Sequence, residues 1–519
     1  MAASGASDPV NLRLFDTATR ALRTFVPLRP GRVSVYVCGA TVQSGPHIGH
    51  LRLAVAFDQL WRWLEAGHGY KVTFIRNITD LDDKVLAASR EADLPWWALA
   101  AENARAFSQA YDTVGVRRPT YEPWATGHIA EMITFIERLI ARGHAYRASD
   151  GSADVYFDVP SWSQYGALTR QQPAALLGHG TVGRRGKRDP RDFALWKAAD
   201  ATAQDGLSSR GRAEWHSPFG PGRPGWHVSC STMIYRYLGE ELDIHGGGID
   251  LRFPHHENEQ AQSHAAGYGF AQYWLHSGWV TVGGEKVGKS LGNSLSAAEV
   301  LQSIRPIDLR YYLGSAHYRS NIEFDRSALN AAATAMSRIE YFMYRAAAYP
   351  PGTRSIPSDV VDLHRSLQIP DAFRHAMNDD LNVPAALAVV HETVRDGNAA
   401  LDRADRAGVA DALAELRLMT TILGINPEAR AWNDQTGRPE SLFRAIKVLV
   451  STVIEEREKA RADGDFSRSD EIRNRLRDAG VTVIDTPDGP SWRIDGQLGP
   501  TWPAGKDEKE DMIREGGRK

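Results

Sequence analysis

Residues 33–77 read VSVYVCGATVQSGPHIGHLRLAVAFDQLWRWLEAGHGYKVTFIRN, and their hydrophobic pattern decides the fold. The opening run, 33–39, is β-branched with one aromatic and reads as a buried strand. It leads into a Gly-, Ser- and Pro-containing turn. Leu53, Phe57, Leu60 or Trp61, and Leu64 then recur at helical spacing. Gly67 and Gly69 close that helix. A second strand follows at 71–77. Strand, helix, strand in this order predicts a βαβ unit, hence a parallel sheet with a right-handed crossover.

Working outward, a helix is predicted from about 126, with Ile129, Met132, Ile133, Ile136 and Leu139 on one face. Residues 160–225 read as irregular. A strand returns at 242–245, just before a loop at Gly246, Gly247 and Gly248. This is the pattern of a nucleotide-binding sheet split by an insertion. Beyond 325 the periodicity is helical at 331–348, 360–367, 385–400 and 410–423, which suggests a bundle. Residues 424–440 read as a loop. Residues 441–495 hold two further helices and a small strand pair, 481–484 with 492–494. The fold class expected is α/β: a Rossmann-like parallel-sheet catalytic domain with an insertion, then an α-helical bundle and a small mixed C-terminal domain. The expected division is 11–125 and 226–280 for the two catalytic halves, with 126–225 as the insertion. Residues 281–325 form a lysine loop and stem-contact region, 326–440 the bundle and 441–495 the small domain. The charged tail, 496–519, is expected to be disordered.

A chain of 519 residues exceeds one ordinary core and implies several domains. With 42% hydrophobic and 24% charged residues, the composition is that of a soluble globular protein. No apolar run approaches the roughly 18 residues of a membrane span, and residues 1–10 show no secretory pattern. The expectation is a cytoplasmic chain without a membrane partner. Net charge is −3, so any RNA partner must use local basic patches, for which Arg184, Arg185, Lys187, Arg188 and Arg191 are one candidate. Two cysteines, Cys38 and Cys230, exclude a disulfide framework.

Three clusters carry chemistry. His47-Ile48-Gly49-His50 lies where the first strand hands over to its helix. There unpaired N–H groups and the helix dipole favour phosphate, and two imidazoles add donors. Lys286-Val287-Gly288-Lys289-Ser290 follows a glycine hinge, and its lysines can swing onto phosphates. His255-His256-Glu257-Asn258-Glu259 sets His255 and Glu259 four apart, on one face of a helix. With Cys38 and Cys230 these could make a Cys₂-His-Glu zinc set, although the run alone is also compatible with helix capping.

In this order the first two clusters resemble HIGH and KMSKS, the signatures of class I aminoacyl-tRNA synthetases. The first match is complete; in the second, Val287 and Gly288 replace Met and Ser. The flanks narrow the resemblance. CGATVQSGPHIGH from Cys38, NITDLDDK from Asn77, DFALWK from Asp192 and GRPGWHVSCSTM from Gly222 all belong to it. So do DIHGGGIDLRFPHHENE from Asp243, SAHYRSNIEF from Ser315 and DDLNVPAA from Asp379. Together they resemble cysteinyl-tRNA synthetases over residues 11–495.

That resemblance implies ATP-dependent activation of L-cysteine and its transfer to tRNA-Cys. It implies one Zn²⁺ on Cys38, Cys230, His255 and Glu259, with Mg²⁺ accompanying ATP. His47, His50, Lys286 and Lys289 become the catalytic residues, and Gly247 and Asp250 join the ATP site. Thr79, Trp226 and His245 form the cysteine pocket. The helical and small terminal domains carry tRNA recognition, Trp492 and Arg493 being weak candidates for it, and the chain is expected to act as a monomer. Ser229 stands where the family usually has Glu. Cysteine:aminosugar ligases are also similar to this family, so a paralogue passing activated cysteine to an amine is the alternative.

Overall fold

A computed structural model describes residues 11–170, 186–199, 213–287, 295–347, 368–433, 440–486 and 489–494. The calls on Arg184, Arg185, Gly288, Lys289, Ser290, the helix at 360–367 and the tail lie outside these residues.

The chain opens with a hairpin, β1 (Arg13–Asp16) and β2 (Ala21–Thr24). The βαβ unit follows as β3 (Arg32–Val37), α1 (Ile48–Ala66) and β4 (Lys71–Arg76). Its strands pair in parallel from Arg32 with Lys71 to Val37 with Arg76. Helices α2 (Asp83–Glu91) and α3 (Trp96–Thr113) come next. The interrupting segment holds α4 (Ile129–Ala141), β5 (Ala145–Arg147), β6 (Val155–Phe157), β7 (Phe193–Ala198) and β8 (Gly222–Pro224). Helix α4 buries Ile129, Met132, Ile136 and Leu139, the face that its periodicity predicts. The four strands make an antiparallel sheet. This corrects the irregular reading of 160–225.

The parallel sheet resumes with α5 (Trp226–Leu238), β9 (Leu242–Gly248), α6 (Glu257–Ala265) and β10 (Ala271–Ser277), giving the order β10-β9-β3-β4. Strand β9 runs through the glycine triplet, which had read as a loop. Gly246, Gly247 and Gly248 pair with Leu275, His276 and Ser277. Glycine is required there for close approach: a Cβ on Gly246 would sit 2.2 Å from the Phe57 ring, and one on Gly247 2.8 Å from that of His256.

Helix α1 departs from a one-faced helix. Alongside its apolar residues it buries Arg52, Asp58 and Gln59. It is packed by β4 and β9 of the sheet and also by two helices of the downstream region. A helix enclosed on several sides must satisfy its polar side chains internally. Asp58 does so with Arg62 at 2.7 Å and Arg310 at 2.5 Å.

After β10 come β11 (Val280–Val282), β12 (Glu285–Lys286), α7 (Ala297–Ser303), α8 (Pro306–Ser315) and β13 (Ile322–Glu323), with β11 between the other two strands. The downstream helices are α9 (Arg326–Ala347), α10 (Asp371–Asn378), α11 (Val383–Asp402) and α12 (Arg406–Leu423). Helices α9, α11 and α12 fall where the periodicity predicts them, and α10 is an addition too short to show a period. A short α13 (Arg430–Asn433) interrupts the segment read as a loop. Helices α14 (Glu440–Ala462) and α15 (Phe466–Asp478) pack with the hairpin β14 (Val481–Thr486) and β15 (Gly489–Ile494). Trp492 packs against their small core, which favours a structural part for it. No helix among the described residues is long and apolar enough to cross a membrane.

Candidate functional site

Cys38 leaves the carboxyl end of β3, and Cys230 sits in the second turn of α5. His255 precedes α6 and Glu259 opens it. The donor atoms of these four buried residues lie within 4.8 Å of one another. The two sulfurs are 3.7 Å apart, Cys38 Sγ is 3.5 Å from Glu259 Oε1, and His255 Nε2 is 3.0 Å from the same oxygen. Two soft sulfurs, one imidazole and one carboxylate converging in a dry interior are a donor set suited to Zn²⁺. Burial pushes the Cys38 thiol well up, whereas the hydrogen bond from Cys38 holds Cys230 down. That asymmetry is what two sulfurs sharing a proton produce.

An outer ring of side chains orients this set. Trp226 stacks on His255 with ring centres 4.4 Å apart, and His227 Nδ1 lies 2.9 Å from His255 Nδ1. His245 Nε2 bonds Glu259 Oε2 at 2.9 Å. His256 reaches His276 at 2.8 Å, and His276 reaches Thr17 at 2.8 Å. Cys38, His245, His256 and Glu259 also bring their donor atoms within 4.8 Å of each other. Sequence reasoning missed His227, His256 and His276, although the first two lie inside quoted motifs. Ser229 is buried and donates to the Trp226 carbonyl at 2.9 Å.

The cluster opens onto a cavity of about 690 Å³ at the carboxyl ends of the sheet strands. Cys38, Cys230, His255, Trp226 and Thr79 line one part of it. His47, His50, Gly248, Asp250 and Lys286 line another. His245 and Gly247 are placed behind this wall, His245 on Glu259 and Gly247 against His256.

His47 caps α1. Its Nδ1 accepts from Gly49 N–H at 3.1 Å, and its own N–H donates to His50 Nδ1 at 3.2 Å. Each imidazole therefore uses Nδ1 as an acceptor, which leaves Nε2 carrying the proton and able to donate. Burial, with Lys286 nearby, lowers His47 to about 4, and burial also lowers His50 well below its ordinary value. Both are neutral donors at pH 7. Cationic charge comes from Lys286, which bonds Asp250 at 2.8 Å and lies over Trp279. Burial raises the Asp250 carboxyl, but Lys286 outweighs it and holds the group below its usual value. Val287 is buried and anchors the loop by an N–H bond to the Val280 carbonyl at 2.9 Å. Of the basic run, Arg191 is paired with Asp189, and Arg188 lies over Tyr146.

Capped-helix donors and a metal-type cluster lining one cavity at the carboxyl ends of a parallel sheet fit an enzyme of the class I synthetase type. In agreement, the family profile described as the class I (C) tRNA synthetase catalytic domain matches residues 24–334. The solved methionyl-tRNA synthetase of Mycobacterium tuberculosis, bound to methionyl-adenylate, shares the fold. Its TM-score is 0.53 at 15% identity, covering 80% of this chain and 96% of that one. A DALR domain profile matches 372–426, and the cysteinyl-tRNA ligase anticodon binding domain matches 449–493. Cysteine–tRNA ligases of a Nocardioides species and of Clavibacter sepedonicus are each 52% identical, over 93% and 94% of this chain and all of theirs. That of Streptomyces avermitilis is 49% identical over 93% of this chain and 99% of its own. The chain belongs to the cysteine–tRNA ligase family.

Proposed function

We propose that this protein activates L-cysteine with ATP, forming cysteinyl-adenylate and pyrophosphate, and then transfers the cysteinyl group to the 3′ end of tRNA-Cys. The observation that carries this reading is the single cavity with a soft-donor cluster in one part and neutral N–H donors plus a lysine in another. A cysteine carboxylate attacks the α-phosphate, and a hydroxyl of the terminal adenosine then attacks the adenylate. The protein's part is alignment and charge stabilisation rather than covalent chemistry.

His47 and His50 donate through Nε2 to phosphoryl oxygens. Lys286, with Lys289, neutralises charge as pyrophosphate leaves, and Mg²⁺ accompanies the ATP. Asp250 and the adjoining glycine strand serve adenosine. Trp226 and Thr79 wall the amino-acid end, and His245 acts there through Glu259. Cys38, Cys230, His255 and Glu259 would hold zinc, whose chemistry is to favour a substrate thiolate over the hydroxyl of serine. An apolar pocket alone separates that pair poorly. The helical bundle and small domain bind the tRNA, and the enzyme works as a cytoplasmic monomer. An amine acceptor is the less favoured reading, because an anticodon binding domain matches 449–493.

The test is charging of tRNA-Cys by the zinc-replete protein with labelled cysteine, with serine as control. Charging with cysteine alone supports the reading. Pyrophosphate exchange with cysteine but no charging would point to another acceptor.

A further inference from the structure

The turn after α8, residues 315–319, does not line the cavity, yet it touches both elements that present phosphate-binding groups. On one side is α1. Arg52 lies two residues beyond His50 and is 1% exposed. Its guanidinium donates to the carbonyls of Leu313, Ala316 (3.2 Å) and His317 (2.7 Å). It thus caps the carboxyl end of α8, where unpaired carbonyls need donors. On another side is the link from β10 to β11. Gly278 N–H donates to the Tyr318 carbonyl at 2.8 Å, Trp279 N–H donates to Asn321 Oδ1 at 2.9 Å, and a Cβ on Gly278 would meet the Ser320 carbonyl at 2.5 Å. Gly278 and Trp279 line the cavity and lead into β11, whose antiparallel neighbour β12 carries Lys286.

The third neighbour is Asp380, outside the cavity, in the link between α10 and α11. Its carboxylate is 3% exposed. It accepts from Tyr318 Oη at 2.8 Å, Arg319 Nε at 2.7 Å and Phe15 N–H at 2.8 Å, with His317 Nε2 at 3.5 Å. Asp380 and Leu381 have φ of +58° and +54°, a region that non-glycine residues rarely occupy in succession. Such backbone persists only where its surroundings dictate it.

We propose that Asp380 is a positioning residue for adenylate formation, acting through the turn 315–319 on α1 and on the strand that carries Lys286. The proposal rests on the activity proposed above. Without the Asp380 carboxylate the turn relaxes, and the carbonyls that hold Arg52 and Gly278 move with it. His47, His50 and Lys286 then lose their common register. Neither Asp380 nor the turn makes a described hydrogen bond to Cys38, Cys230, His255 or Glu259, so cysteine selection is spared.

The experiment uses the full-length, zinc-replete protein and follows ATP–pyrophosphate exchange at varied ATP and varied cysteine, with zinc content measured alongside. Asp380→Asn should lower exchange kcat by about 10- to 100-fold, as expected for misplacement of about 1 Å, and raise KM for ATP. KM for cysteine and zinc content should stay unchanged, and Asp380→Glu should recover part of the loss. If Asp380→Asn does not fold, Tyr318→Phe, lacking one hydroxyl, should show the same split at smaller size. A lower melting temperature with unaltered kcat and KM for ATP would overturn the proposal. A wild-type protein that exchanges no pyrophosphate would overturn the activity itself, and the relay with it.

Discussion

Replacing Gly246 by alanine tests the packing of helix α1 directly. Gly246 lies in β9, and its added Cβ would meet Phe57 Cε1 at 2.2 Å and Cζ at 2.3 Å. Ordinary carbon contact is about 3.5–4.0 Å, so the ring must retreat by roughly 1.5 Å. Phe57 is 3% exposed, sits in the middle of α1 and lines the cavity, so its ring gives way toward the cavity or takes α1 with it. The strand is equally constrained, since Gly246 pairs with both Val37 and Leu275. The collision therefore shifts α1 or pushes the ring into the cavity that His47 and His50 also line. Overpacking of this kind costs about 1–3 kcal/mol, and a displacement of about 1 Å at His47 and His50 lowers a positioned reaction about 100-fold. The assay is ATP–pyrophosphate exchange together with urea denaturation. Adding Phe57→Leu to Gly246→Ala removes the colliding ring atoms and should restore most of the exchange rate. Gly246→Ala with unchanged rate and stability, or a double variant no better than the single, would refute the reasoning.

Three further outcomes are expected. Cys38→Ser removes a sulfur from the four-donor set, so zinc affinity should fall by more than about 100-fold, the upper range for changes in outer partners; full retention against a competing chelator would reject the assignment. Arg310 is fully buried and bonds Asp58, Val114, Gly115 and Leu423. Arg310→Met should cost about 3 kcal/mol in denaturant unfolding, the lower end of the range because Arg62 stays with Asp58; a cost under about 1 kcal/mol would contradict the buried pairing. His47 titrates at about 4 when folded against 6.5 for the free group. Between those values the unfolded chain binds more protons, so stability rises with pH there and is lost as pH falls. The urea midpoint should drop from pH 6.5 to 4, less steeply in His47→Asn, and equal slopes would exclude the assigned environment.

Much of the architecture was legible because α1 and its two flanking strands carry unmistakable periods. The antiparallel sheet was not, since Ala145–Arg147, Val155–Phe157 and Gly222–Pro224 have three residues each and too few for alternation to register. The extension of β9 was hidden for a different reason. Three glycines read as a loop, yet here they admit Phe57 and His256 against a strand. The four proposed metal ligands could be named because they stand in quoted motifs. His276 could not, because one histidine in a strand carries no pattern, and its link to His256 exists only after folding. Arg52, Asp58 and Asp380 escaped similarly: charged side chains read as solvated until tertiary structure supplies partners.

The placement of charge explains how such a site can bind a polyanion without being strongly cationic at rest. His47 and His50 are neutral, and the buried guanidinium of Arg52 is taken up by backbone carbonyls. Lys286, one of the cations lining the cavity, is paired with Asp250. That pair is partly exposed, with side chains 36% and 45% accessible, and pairs of this kind are worth only about 0–1 kcal/mol. On the proposed reading, exchanging Asp250 for a phosphate therefore costs little, and it frees the Asp250 carboxylate as it places an ammonium on the phosphates. On the proposed reading, nucleotide binding itself switches Lys286 from a resting partner to a catalytic one. On the same reading the directional N–H donors of α1 stay fixed while Lys286 changes partner.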